Sequence, residues 1–160
     1  MQPSDIEKVI ARHGRIGLQF SGGKDSLACL YLLRPYWDRL TVYWLNSGDV
    51  FPETAHLIEQ VRRQVPQFAE IAGNVRDVQA RFGIPSDIVP ASSTPLGRMV
   101  GHAAPLIQDR YSCCFKTVME PMHLRMIADG ITLIIRGQRA DDKLKAPIRS
   151  GTVDAGIEYL

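Results

Sequence analysis

A chain of 160 residues, 45% hydrophobic and 22% charged, has the proportions of one globular domain, which excludes disorder, collagen-like repeats and coiled coil. Nineteen basic against seventeen acidic residues leave a formal charge of +2, too small a surplus for a generic polyanion binder. Residues 98–149 are locally richer, with nine basic against five acidic side chains, an excess that suits a small anionic ligand.

The amino-terminal MQPSDIEKVIARHG is amphipathic and charged, unlike a signal peptide, and no run approaches the roughly 20 apolar residues of a membrane span. Three cysteines, two of them adjacent, make no disulfide framework. A reducing, cytoplasmic location without a membrane partner is the expectation.

Arg15 to Phe20 alternates Ile16, Leu18 and Phe20, a strand pattern, and runs into Ser21-Gly22-Gly23-Lys24-Asp25-Ser26 and then a helical stretch from Leu27 to Leu33. Thr41 to Leu45 is a second strand, β-branched and aromatic. Pro52 opens a helix whose stripe is Leu57, Ile58, Val61 and Val65, ending at Pro66. A third strand is expected over Phe68–Ala72. Asn74 then stands as an N-cap to a short helix with Val75, Val78 and Phe82 inward and Gly83 past its end.

Residues 84–112, proline-containing and without a period, read as a long functional loop with one short helix. A helix from Pro121 to Ala128 stops at Asp129 and Gly130 and leads to a buried strand over Ile131–Ile135. Gly156 to Leu160 predicts a last strand, whose exposed edge would favour a homo-oligomer. The alternation predicts an α/β fold: a doubly wound, mostly parallel sheet with helices on both faces. Ligands of such sheets bind outside the carboxyl ends of the strands, so the segments just after each strand are the informative ones.

Ser21 to Ser26 fits a phosphate or sulfate cradle. Two glycines allow a tight turn and close approach, successive N–H groups form a nest at a helix amino end, Ser21 and Ser26 add hydroxyls, and Lys24 adds charge. It is neither a Walker loop nor a GxGxxG fingerprint. The competing reading is a strand–helix turn that uses glycine for geometry alone; six specified residues in strand–turn–helix context favour the anion site.

SGGKDS resembles the PP-loop of the adenine-nucleotide alpha-hydrolase superfamily, and further segments narrow the resemblance to the phosphoadenosine phosphosulfate (PAPS) reductase family. Asn46-Ser47-Gly48-Asp49-Val50-Phe51-Pro52-Glu53-Thr54 is similar to the family's DTG-x-x-FPET segment. Cys113-Cys114-x-Lys116 with Pro121 downstream resembles the CC-x-x-K-K-x-x-P-L region of its iron–sulfur members, and Arg136-Gly137-Gln138-Arg139-Ala140-Asp141-Asp142 resembles its GxRxDES turn.

The resemblance implies a single PP-loop nucleotide-binding domain over residues 1–160 that lacks the family's C-terminal segment. It implies that Ser21, Gly22, Gly23, Lys24, Asp25 and Ser26 hold the phosphate or sulfate end of an adenine nucleotide, that Asn46, Ser47 and Gly48 lie near the nucleoside, and that Gly137 and Arg139 face the anion. Lys24 and Arg139 are the implied catalytic pair. Part of the local basic excess, notably Lys116, Arg136 and Arg139, is expected beside the cradle.

Two departures bear on substrate. Asn46-Ser47 stands where the family has Asp-Thr, giving an amide that donates as well as accepts. Asp142-Lys143 stands where it has Glu-Ser. Cys29 reads as a buried small hydrophobe. Cys113 and Cys114 resemble two iron–sulfur ligands, but a cluster needs four, and no C-x-x-C and no cysteine follow Cys114 in the chain, so a cluster held by this chain alone is not expected. The nucleophilic cysteine of the reductases has no counterpart here.

The expected ligand is therefore ATP or PAPS/APS, with the nucleotide's phosphates able to hold magnesium. Two reactions are compatible: reduction of the phosphosulfate to sulfite with a thioredoxin-type reductant, or cleavage of ATP between its α and β phosphates. The alternatives are a non-catalytic nucleotide-binding subunit and a sulfur-transfer enzyme with nucleic acid as acceptor.

Overall fold

A computed structural model describes residues 3–139 and 148–160. In chain order the elements are α1 (Pro3–Ala11), β1 (Ile16–Gln19), α2 (Lys24–Leu32), β2 (Leu40–Asn46), α3 (Pro52–Gln64), β3 (Gln67–Ala72), α4 (Val75–Phe82) and β4 (Ile84–Pro85). There follow α5 (Pro95–Met99), β5 (Ile107–Gln108), α6 (Arg110–Cys114), a π-helical turn over Phe115–Met119, α7 (Glu120–Ala128), β6 (Leu133–Arg136), β7 (Val153–Asp154) and β8 (Ile157–Tyr159).

Alternation within the strands divides the core into two layers. Ile16, Leu18, Val42, Trp44, Leu133 and Ile135 pack with Ile10 of α1, Leu30 of α2 and Ile58 and Val61 of α3. The intervening residues Tyr43, Ala69, Ile71 and Ile134 join Met122 and Met126 of α7, with Ile157 and Tyr159 of β8. The sheet is thus covered on both faces, which is why the central strands β1, β2 and β6 bury successive residues rather than alternate ones. Six strands run in the order β3-β2-β1-β6-β8-β7, all parallel except β7. From β1 the chain winds outward through β2 and β3, then returns to lay β6 on the other side of β1. That reversal is a topological switch point, and it puts the turns after β1 and β6 side by side.

Local chemistry accounts for the helix ends. Pro52 occupies the first turn of α3 with Glu53, and Arg62 and Arg63 lie in its last, matching the helix dipole at both ends. Asp129 caps α7, and Gly130 follows at φ +67°.

Asn74 stands at the N-cap of α4 as expected, without a side-chain capping bond. Three expectations need correction. Phe82, expected inward on α4, is exposed. Residues 84–112 are not one loop with one helix: β4 and β5 form a two-stranded parallel sheet, Ile84 opposite Ile107, around α5. Their periods are too short for a hydrophobic pattern to show. The last strand, β8, is not an exposed edge, because β7 pairs antiparallel along it, Val153 opposite Glu158. The edge argument for self-association therefore loses its basis.

Asp109 caps α6 by accepting from the amides of Tyr111 (2.9 Å) and Ser112 (3.1 Å), and so sets where the Cys113-Cys114 helix begins. Asp109→Ala is expected to cost about 1 kcal/mol, read as a lower denaturation midpoint at unchanged denaturant slope.

Candidate functional site

The turn after β1 is braced from within. Gly22 sits at φ +80°, a conformation that L side chains rarely adopt, and a Cβ there would come 3.1 Å from Thr54 Cγ2 on α3. The Gly23 amide points to Ser21 Oγ at 3.3 Å, Ser26 Oγ donates to the Gly23 carbonyl at 2.9 Å, and the two serine hydroxyls are 3.2 Å apart. Ser26 is 4% exposed, so its hydroxyl shapes the loop, whereas Ser21 and Lys24 are exposed. Gly23 is the N-cap of α2 and offers no capping side chain. The amino end of α2 thus keeps N–H groups and a positive dipole end for an anion.

The turn after β6 packs directly on this loop. A Cβ on Gly137 would lie 2.7 Å from both the Asp25 carbonyl carbon and the Ser26 nitrogen, so only glycine admits the approach. Arg139 Nε is 3.8 Å from Asp25 Oδ2, with both side chains partly exposed. Asp25 therefore holds Arg139 at the amino end of α2 and partly offsets its charge. Ala140, Asp141, Asp142 and Lys143 of the same motif lie outside the described residues.

After β2, Asn46 Nδ2 donates to Glu70 Oε1 at 2.8 Å while Asn46 Oδ1 accepts from the Gly48 amide at 3.0 Å, an Asx turn closed by Gly48 at φ +92°. The Asn46 carbonyl also accepts from Gly73 N at 2.6 Å. Both ends of the amide are engaged within the protein, and Ser47 is half-buried between them. Hydrogen bonds from Asn46 and Arg62 hold the Glu70 carboxyl below the usual carboxylate range. Glu70, Arg62 and Thr54 are neighbours of the site that sequence reading did not single out as such. Thr54 lay within a quoted motif, while Glu70 is one exposed position in a short strand and left no signal.

The other basic residues expected at the cradle are engaged elsewhere. Lys116 Nζ lies 4.8 Å from the centre of the Phe82 ring, and Arg136 donates to the Ile148 carbonyl at 2.6 Å and lies over Tyr159. Arg110 pairs with Asp87 and Arg125 with Asp129, so the excess of residues 98–149 is divided among separate local partners and forms no continuous stripe in the described residues.

Cys113 is buried and Cys114 half-buried at the end of α6, and the Cys113 carbonyl accepts from Thr117 Oγ1 at 2.7 Å. Burial and the neighbouring Cys113 push the Cys114 thiol up, and burial followed by Asp25 does the same to Cys29. Among the described residues no group of three or more His, Cys, Asp or Glu side chains converges as a metal site. Two thiols alone do not fit a cluster that takes four ligands.

A cleft of about 720 Å³ lies at the opposite, amino edge of the sheet, lined by Arg15, Asp38, Arg39, Arg125 and Asp129 among others. Its arginines serve helix carboxyl ends: Arg15 donates to the Asp129 carbonyl at 2.9 Å and Arg39 to the His13 carbonyl at 2.7 Å. Helix carboxyl ends repel anions, so this cleft is not where a phosphate belongs.

The carboxyl edge thus brings together the SGGKDS loop, the turn after β2 and the Gly137–Arg139 turn, in the chain order of one known domain. The family model described as phosphoadenosine phosphosulfate reductase domain matches residues 15–148. The chain belongs to this family. The match begins at the start of β1 and runs past the Gly137–Arg139 turn, so every segment of the carboxyl edge lies within it. No curated protein matches the chain. Membership in the PAPS reductase domain family ties the chain to enzyme-type sulfur chemistry on adenine nucleotides, PAPS and APS being the family's substrates. No described helix is long and apolar enough to cross a membrane.

Proposed function

We propose that residues 1–160 form one nucleotide-binding domain that takes the phosphate or phosphosulfate end of an adenine nucleotide between the α2 amino end and the Gly137–Arg139 turn. The packing of Gly137 against the backbone of Asp25 and Ser26 carries this reading, because it joins two anion-suited turns at the switch point. In it, the amino end of α2, the Ser21 hydroxyl, Lys24 and Arg139 stabilise charge on the departing group. The nucleoside lies toward Asn46–Gly48.

The thiol chemistry directs the choice of reaction. Burial pushes the Cys29 and Cys114 thiols up, away from the activated thiolate a nucleophile needs, and Cys113 is buried out of a ligand's reach. The described residues serve leaving-group stabilisation, and the attacking group comes from outside them: a reductant's thiol on a phosphosulfate, or an acceptor nucleophile on the α-phosphorus of ATP. Either nucleotide's phosphates can hold magnesium, which would further neutralise the leaving group.

Calorimetry with ATP, PAPS and adenosine 3′,5′-bisphosphate, paired with pyrophosphate-release and sulfite-release assays, tests the proposal. Saturable binding of at least one nucleotide is expected, and binding of none would overturn it. Binding without turnover, with thioredoxin or a nucleic-acid acceptor supplied, would favour a non-catalytic nucleotide-binding subunit.

A further inference from the structure

Building on the reading that the turn after β2 receives the nucleoside, we propose that Glu70, held by Arg62, is a positioning residue that fixes this turn through Asn46. The demand on position 46 is double. It must donate toward Glu70 on the neighbouring strand and accept from the Gly48 amide two residues on. Only an amide does both in one orientation, since a carboxylate cannot donate. A carboxylate at 46 would also meet the Glu70 charge at hydrogen-bond distance. Glu70 therefore accounts for an asparagine where the resembling motif carries aspartate.

With one donor committed to Glu70 and one acceptor site to Gly48, the Asn46 side chain is fixed by the protein itself and shapes the turn. Arg62 completes the device: it pairs with Glu70 and with Glu59 one turn back on α3 (3.0 Å), tying the turn after β2 to the helix whose Thr54 meets Gly22. The two nucleotide-facing turns are thereby held to one helix.

Exchanging donor and acceptor is the test. Glu70→Ala is expected to weaken ATP or PAPS binding about three- to tenfold and to speed exchange of the Gly48 amide with water, read by NMR without ligand. Asn46→Asp should do the same. Combining Asn46→Asp with Glu70→Gln should restore both readouts, because the donor now sits on β3 and the acceptors on β2.

Acid separates the variants further. In the parent, a carboxyl held below its usual range adds stability that is present above about pH 4.3 and lost as the pH falls through the lowered value. In Asn46→Asp, two carboxylates facing Arg62 and Glu59 raise one pKa between them, so stability should rise on acidification. A double variant no better than Asn46→Asp alone overturns the proposal. So does Glu70→Ala with unchanged Gly48 exchange and affinity. If the parent chain binds no adenine nucleotide, the functional reading falls, and Gly48 exchange in the same variants decides the positioning role by itself.

Discussion

Gly137→Ala is expected to destabilise the protein by about 1–3 kcal/mol and to weaken nucleotide binding about tenfold or more. The added Cβ would stand 2.7 Å from two backbone atoms of the loop, not from the tip of a flexible side chain, so relief requires β6 or α2 to move. Either movement opens the contact that brings Arg139 to the amino end of α2. Gly14→Ala is the matched control: it meets nothing within 4 Å and should leave affinity unchanged. Calorimetry and chemical denaturation of both variants read the result. Parent-like affinity in Gly137→Ala would show that the two turns do not act as one site.

Lys24→Ala should weaken ATP or PAPS binding about 10- to 100-fold, the value of a hydrogen bond to a charged group. Stability should barely change, because Lys24 is exposed at the first turn of α2, where a positive charge does nothing for the helix. That combination distinguishes a ligand contact from a structural role. Lys24→Arg, which keeps the charge but changes its shape, should recover part of the affinity. Unchanged affinity in Lys24→Ala would remove the loop from the proposed site.

The parts of this fold legible in the sequence are those with a strong local signal. Ile16, Leu18 and Phe20 alternate and then meet two glycines, so β1, the turn and α2 could be placed in advance. Pro52 and the Leu57, Ile58, Val61, Val65 stripe did the same for α3. Two-residue strands such as β4, β5 and β7 have no period to detect, and pairing partners distant in the chain define them. For the same reason the end of the chain read as a bare edge when it is a paired one.

Charge was the least transferable quantity. The local excess of basic residues was real, yet of Lys116, Arg136 and Arg139 only Arg139 contacts the loop through a described ion pair, while Phe82, Tyr159 and the Ile148 carbonyl hold the other two. Composition counts charges but does not aim them.

By itself the sequence determined the α/β class, the family and the three segments that follow β1, β2 and β6, because residue type and spacing express backbone needs that are local. Tertiary structure alone decided that Gly137 seats one turn on another, that Ser26 braces the loop from inside, and that Asn46 answers to Glu70 on a different strand. Those contacts join residues separated by up to a hundred positions or more, and only strand order and register bring them within a few ångströms.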